Sequence, residues 1–202
     1  MTRVILIRHC QTDYNLENRY CGFSNPPLNN KGIQQSKRLA QRLGDVKIDK
    51  AYSSDLKRAY QTAEIIFANN SIETLTDFRE MNFGFFEGLK CEEIIKIYPN
   101  IWRDWIDDPM KVKIPNGEGL LDLSKRVKEK LYFILSQHKN KTLAIVTHSG
   151  PIRIILCDAL KFDLKMFWQI EQEIGALNII DYAKESQPVV VKMNDIFHLS
   201  TK

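Results

Sequence analysis

Two histidines in this chain stand directly after short apolar runs, and small or polar residues follow each. His9 is preceded by Val4-Ile5-Leu6-Ile7 and Arg8; His148 is preceded by Leu143-Ala144-Ile145-Val146-Thr147 and followed by Ser149-Gly150-Pro151. An imidazole can act as nucleophile or proton carrier near neutral pH, and a guanidinium beside it can hold an anion through its planar fork. Taken alone, Arg8-His9 favours a plainer reading, a salt-bridged arginine next to a packed or surface histidine. Two such strand ends shift the balance, because adjacent strands would bring both imidazoles together. Open α/β sheets place their ligand sites at that carboxyl end.

The elements that would position these residues follow from periodicity. Each apolar run reads as a strand buried on both faces, as in a parallel sheet. Asn29 or Asn30 can cap a helix with Ile33, Ser36, Leu39, Ala40 and Leu43 on one face and Gly44 as its stop. Lys50-Ala51-Tyr52-Ser53 reads as a strand. Ser54 or Asp55 then caps a helix running to about Phe67, with Leu56, Ala59, Ala63 and Ile66 inside. Residues 72–75 form a further short strand. Leu120, Leu123, Val127, Leu131 and Ile134 line a long amphipathic helix, and 152–160 another, with Pro151 in its first turn. Two late strands, 176–182 and 189–193, are joined by the turn-prone Lys184-Glu185-Ser186-Gln187-Pro188. This alternation predicts an α/β fold with helices on both faces of one sheet.

Between about 78 and 119 the pattern is less regular. Gly84 and Gly88 lie close together, a short helix near 91–98 is ended by Pro99, and Trp102 to Trp105 precede Asp107-Asp108-Pro109. This stretch is expected to be an insertion or small cap over the site, carried by a single domain spanning 1–202.

Composition narrows the partners. The 202 residues are 44% apolar and 27% charged, as in a globular protein. The formal charge of +4 is modest, and basic residues are mixed with acidic ones, as in Lys125-Arg126-Val127-Lys128-Glu129-Lys130. That segment reads as a solvated helix face. No basic stripe interleaved with aromatics is present, so nucleic acid is not an expected partner; a small anionic substrate suits the charge. Cys10, Cys21, Cys91 and Cys157 are far apart and show neither disulfide nor zinc spacing. No stretch has the length of a membrane span or the layout of a secretory leader, so no membrane partner and a cytoplasmic location are expected.

Four segments carry a resemblance: 6–15 around Arg8-His9, 52–63 around Arg58, 79–88 around Glu80, and 146–153 around His148. In this order they resemble the blocks of the histidine phosphatase superfamily, the phosphoglycerate mutase-like or RHG family. The resemblance implies a three-layer α/β/α sandwich and phosphoryl transfer through a phosphohistidine, with no metal or other cofactor. It makes His9 the nucleophile, its second ring nitrogen held by a hydrogen bond. Arg8 and Arg58 would clamp the phosphoryl oxygens, Asn15 would add a neutral donor, and His148 would contribute as an imidazolium. Glu80 would protonate the leaving oxygen; Glu87 reads as structural and His138 as a surface residue. Cys10 stands where the family usually has glycine or alanine, which would be strained if the backbone there were left-handed.

The stretch Asn82-Phe83-Gly84-Phe85-Phe86-Glu87-Gly88 resembles the phosphatases of the superfamily more than its mutases. The intact set of Arg8, His9, Arg58, Glu80 and His148 speaks against a non-catalytic binding module. Two specific substrate readings compete, with a broad-specificity phosphatase as the further alternative. Pro115-Asn116-Gly117-Glu118-Gly119 and Phe167-Trp168-Gln169-Ile170-Glu171-Gln172 resemble α-ribazole phosphatases, and α-ribazole 5′-phosphate is taken as the leading substrate. Segments 105–112, 162–168 and 193–199 resemble metal-independent phosphoserine phosphatases, in which a C-terminal histidine, here His198, can assist recognition. A homodimer is compatible with either reading, with no interface identifiable.

Overall fold

The structure is a computed structural model that describes residues 1–68, 70–183 and 186–200. Along the described residues the elements are β1 (Thr2–Arg8), α1 (Asp13–Leu16), α2 (Asn30–Leu43), β2 (Lys50–Ser53), α3 (Lys57–Ile66), β3 (Ile72–Thr74), α4 (Cys91–Ile97), α5 (Pro99–Asp107), α6 (Leu120–Gln137), β4 (Thr142–Thr147), α7 (Ser149–Leu160), β5 (Leu177–Tyr182) and β6 (Val189–Asp195). The strands form one six-stranded sheet in the order β3-β2-β4-β1-β5-β6. The pairs β3–β2, β2–β4 and β4–β1 are parallel, and β5 and β6 complete the other side as antiparallel pairings. The expected α/β sandwich is the observed one.

Why the opening apolar run does not alternate with polar residues is visible in its neighbours. Val4 and Leu6 face a core shared with Leu123 and Val127 of α6 and Ile152 of α7. Ile5 and Ile7 face the opposite core, shared with Leu39 of α2 and Ala59 and Ala63 of α3. Both faces are covered, so both parities must be apolar. Burying each such side chain stabilises the fold by roughly 1.5–3 kcal/mol. The chain leaves β1 toward the α2/α3 layer and leaves β4 toward the α6/α7 layer. The carboxyl ends of these paired strands therefore flank a crevice, the switch-point position where α/β sheets bind ligands.

Several local expectations are corrected. Neither Ser54 nor Asp55 caps α3, whose first flanking residue is Leu56. Ser54 Oγ instead meets His148 Nε2 at 2.9 Å, and Asp55 pairs with Arg79 at 2.8 Å; the Lys57 N–H donates to Asn25 Oδ1 at 2.7 Å. The inner face of α3 carries Arg58 and Thr62 besides the expected Ala59 and Ala63, and Ile66 packs partly buried against the same core. Asn29 caps α2 as expected, accepting from the Gly32 N–H at 2.9 Å, but Ile33 is exposed and Gly32 is buried. A Cβ at Gly32 would stand 2.2 Å from the Gln11 carbonyl oxygen, so the helix can lie against the loop after β1 only with glycine there. Pro99 opens α5 at its first turn instead of merely closing α4, and Trp102 and Trp105 belong to that helix. Of the predicted turn at 184–188, residues 184 and 185 lie outside the described residues.

Segment 78–119 is a chain of short pieces, including the single turn Gly84–Phe86, α4 and α5. Its aromatic side chains gather on Trp105, which is 1% exposed. Phe86 and Trp102 meet Trp105 from within the segment, and Tyr20 and Trp168 meet it from outside. No helix among the described residues is long and apolar enough to cross a membrane.

Candidate active site

His9 is placed by its own backbone. Its N–H donates to the Thr147 carbonyl of β4 at 2.8 Å and its carbonyl accepts from the Gly175 N–H at 3.2 Å, so sheet pairing continues through it. The ring is 4% exposed. Nδ1 lies 2.8 Å from the Cys10 carbonyl oxygen, which can only accept, so Nδ1 must carry the proton. Nε2 then bears the lone pair, and the Arg58 Nε–H donates to it at 3.2 Å. Burial first, then the charges of Arg58 and Arg8, hold the imidazole well below its ordinary pKa. The result is a neutral ring with a nucleophilic nitrogen fixed in direction.

Arg58, fully buried on α3, reaches His9 with Nε while its fork is turned to the loop after Tyr20. Nη1 donates to the Ser24 carbonyl at 2.7 Å, and Nη2 to those of Cys21 and Gly22 at 3.1 and 2.8 Å. That loop is itself held by Glu87. Its carboxylate accepts from the N–H groups of Gly22, Phe23, Ser24 and Phe83, and from the Ser24 hydroxyl, at 2.7–3.2 Å. Glu87 thus acts on the site through Arg58, in keeping with its expected structural place. Arg8 donates through Nη1 to the Gln172 carbonyl, whereas its buried Nε has no partner among the described residues. Desolvation lowers its pKa to about 10, which leaves it cationic at neutral pH.

His148, at the end of β4, sets its ring edge-on to that of His9, with centroids 5.0 Å apart. Burial, together with Arg58, His9 and Arg8, holds it well below its ordinary pKa. The imidazolium expected from the sequence is therefore not the state of the free site; a bound dianion would offset those cations and raise it. Its Nδ1 is buried without a partner among the described residues. Asn15 lies in α1, where its Oδ1 accepts from the N–H and hydroxyl of Thr12, both at 3.0 Å. The amide nitrogen is left for another acceptor.

Glu80 approaches from the 78–119 side. Its carboxylate accepts from the Met81 N–H at 2.9 Å and from the Gly150 N–H at 3.1 and 3.2 Å. A Cβ at Gly150 would sit 2.2 Å from Glu80 Oε1, so this approach requires glycine in the first turn of α7. The loop bearing Glu80 is clamped by Arg126 of α6. Nη1 donates to the Asp77 and Arg79 carbonyls at 2.7 and 2.8 Å, Nη2 to the Glu80 carbonyl at 2.9 Å, and Nε to Glu118 at 3.0 Å.

These groups meet at a cavity of about 360 Å³ lined by Arg8, His9, Asn15 and Glu80 and, beyond the expected set, by Arg19, Tyr20, Phe83, Arg153 and Trp168. Arg58 and His148 stand beneath it, against His9. Arg153 was legible in principle, since it falls three and four positions after Gly150 and Ser149 on one helix face. Arg126 was hidden in what reads as a solvated basic face. His138 is not a free surface residue, because its Nε2 meets the Tyr52 hydroxyl at 2.7 Å. His198 does not line the cavity; its turn, Phe197–Leu199, lies against α2. Cys10 has no positive φ, is fully buried, and its thiol is pushed up to about 11 by burial, so it is neither strained nor ionised. Among the described residues no group of three or more His, Cys, Asp or Glu side chains could hold a metal ion.

Residues 4–196 match the sequence profile of the histidine phosphatase superfamily, branch 1. The chain belongs to that superfamily and is a histidine phosphatase. It is 35% identical over 201 residues to phosphoserine phosphatase 1 of Hydrogenobacter thermophilus, covering 98% of this chain and 95% of the relative. A phosphoserine phosphatase of Entamoeba histolytica, solved with phosphoserine, superposes with a TM-score of 0.90 at 26% identity, over 99% of this chain and 100% of that one. The α-ribazole phosphatase of Shigella flexneri superposes with a TM-score of 0.88 at 25% identity, over 96% of each chain.

Proposed function

We propose that this enzyme hydrolyses a small phosphate monoester through a phosphohistidine on His9, and that its substrate is phosphoserine or a close analogue. The observation that carries the mechanism is the tautomer of His9: with Nδ1–H bound to the Cys10 carbonyl, the lone pair lies on Nε2, and the Arg58 Nε–H that meets it turns to a phosphoryl oxygen as substrate enters. Nε2 attacks phosphorus as the bond to the ester oxygen breaks, and Glu80 delivers its proton to that leaving oxygen. Arg8, the Arg58 Nε–H, Asn15 and His148 supply donors to the phosphoryl oxygens. A water molecule then gives its proton to the Glu80 carboxylate and adds to phosphorus. The P–N bond breaks, releasing inorganic phosphate and restoring neutral His9.

The order of the two substrate readings is reversed from that of the sequence. Phosphoserine is supported by 35% identity over nearly the whole chain, whereas α-ribazole 5′-phosphate rests on a structural neighbour at 25% identity. In the same reading, residues 78–119 act as a cap on a single domain, and Glu80 is the cap's contribution to the reaction.

Rapidly quenched protein, kept out of acid, should carry phosphate on His9 during turnover. His9→Ala should lose at least about 10⁴-fold in kcat, since removing a nucleophile leaves only binding and charge stabilisation. Undiminished turnover in that variant would reject the mechanism. Comparing kcat/KM for phosphoserine and α-ribazole 5′-phosphate decides between the substrates.

A further inference from the structure

The cavity holds a cation that the reaction at His9 leaves unused. Arg153 lies in the second turn of α7, on the face that Ser149 and Gly150 also present to the cavity. Its side chain is fixed at three points. Nε donates to the Ile170 carbonyl at 2.7 Å, and the guanidinium carbon stands 5.4 Å from the ring centroids of both Phe167 and Trp168. Cation–π contacts of this kind hold a guanidinium in plane and orientation.

What it lacks is an anion. Among the described residues its terminal nitrogens make no hydrogen bond and no carboxylate lies within ion-pair distance. Arg19 lines the same cavity but is already committed, donating to Glu17 at 2.6 Å and to the Gly88 carbonyl at 2.7 Å. A half-buried guanidinium kept rigid, with Glu80 and Glu171 acting on it through space but neither paired to it, carries a desolvation cost that a bound carboxylate would offset further. Within a cavity of about 360 Å³ it faces a site already equipped for one phosphoryl group. One guanidinium fork matches one carboxylate in both charge and geometry. A second phosphoryl group, with two charges, would need further donors.

We propose that Arg153 binds a carboxylate on the non-reacting end of the substrate and thereby selects phosphate esters of small hydroxy acids over esters without that group. This rests on the phosphatase reading and adds to it the residue that sets specificity.

O-Phosphoserine and O-phosphoethanolamine differ only by the carboxylate, so they isolate the contact. The native enzyme should prefer phosphoserine by about 100-fold in kcat/KM, in the range expected when one partner of a desolvated charge pair is removed. Arg153→Met should reduce that preference to within a few-fold, chiefly by raising KM for phosphoserine, and Arg153→Lys should recover part of it. Equal use of both esters by the native enzyme would overturn the proposal, as would an equal loss on both in Arg153→Met. Thermal melting identifies a variant that has not folded, in which case Arg153→Lys alone decides by the same ratio. Equilibrium binding of the two esters to His9→Ala and His9→Ala/Arg153→Met separates the two readings. If turnover and phosphohistidine are absent but phosphoserine still binds tighter only when Arg153 is present, the phosphatase mechanism fails and the carboxylate site stands. If turnover occurs and the two proteins bind both esters alike, the reverse holds.

Discussion

The floor of the cavity and its wall are built by different means. On the floor, His9 and His148 end two paired parallel strands, and the His9 N–H still bonds to Thr147 as if the ladder continued. Their positions follow from the backbone of the sheet, whose apolar side chains are buried in both flanking cores. On the wall, Glu80 and the loop at 21–24 have no strand behind them. They are held by single side chains that gather main-chain groups: Arg126 takes the carbonyls of Asp77, Arg79 and Glu80, and Glu87 takes the N–H groups of Gly22, Phe23 and Ser24. A substitution on the wall should therefore misplace chemistry while leaving the sheet intact.

The sharpest test of that contrast is Arg126→Met. It leaves three carbonyls and Glu118 without their partner, so stability should fall by about 2–3 kcal/mol. The Glu80 carboxyl should lose its registration with the Gly150 N–H, and kcat on alkyl phosphates should drop about 100-fold. An aryl phosphate with a good leaving group needs little protonation and should lose much less. A loss of the same size on both esters would mean that Arg126 is structural only. Arg126→Lys, which cannot span three carbonyls, should restore little.

Glu87→Ala should produce the second largest effect. It frees the loop whose carbonyls hold the Arg58 fork, so Arg58 can rotate away from His9 Nε2. We expect kcat to fall about 10-fold for alkyl and aryl esters alike, because the donor to phosphoryl, not the proton donor, is disturbed. Stability should fall by about 1–3 kcal/mol for the unsatisfied N–H groups. Esters affected unequally would place Glu87 with Glu80 instead.

The same division explains what could be read in the chain without coordinates. Strand ends are legible because two unbroken apolar runs each stop at a histidine, and pairing the two runs brings His9 to His148. The block around Arg58 marks the residue but not its engagement: nothing local marks the carbonyls of residues 21–24 as its partners. Arg126 reads as solvated because helix periodicity cannot show that a neighbouring loop will descend onto it. Ser54 reads as a helix cap because capping is a local rule, and here a tertiary contact with His148 overrides it. The silence of Cys10 follows from Thr62 and the α2 core, both distant in sequence.

Acidification gives the most direct view of the floor. His9 and His148 are neutral in the folded free protein because burial and adjacent arginines lower their pKa values. In the unfolded chain both take up a proton as pH falls through about 6.5. The unfolded state then binds more protons than the folded one, so folding stability rises with pH and is lost on acidification below about 6.5. The slope should be on the order of 1 kcal/mol per pH unit for each ring. His198, lowered by burial and by Arg42, adds in the same direction. Ion-paired carboxylates such as Asp55 and Asp181 are held below their ordinary range, so their loss belongs to lower pH. Urea unfolding at pH 7.5, 6.5 and 5.5 should show the slope, and His148→Gln should remove part of it. Saturating inorganic phosphate should flatten it further, because a dianion on the floor lets the folded rings hold protons too. A slope that phosphate leaves unchanged would place the titrating groups elsewhere than beneath the cavity.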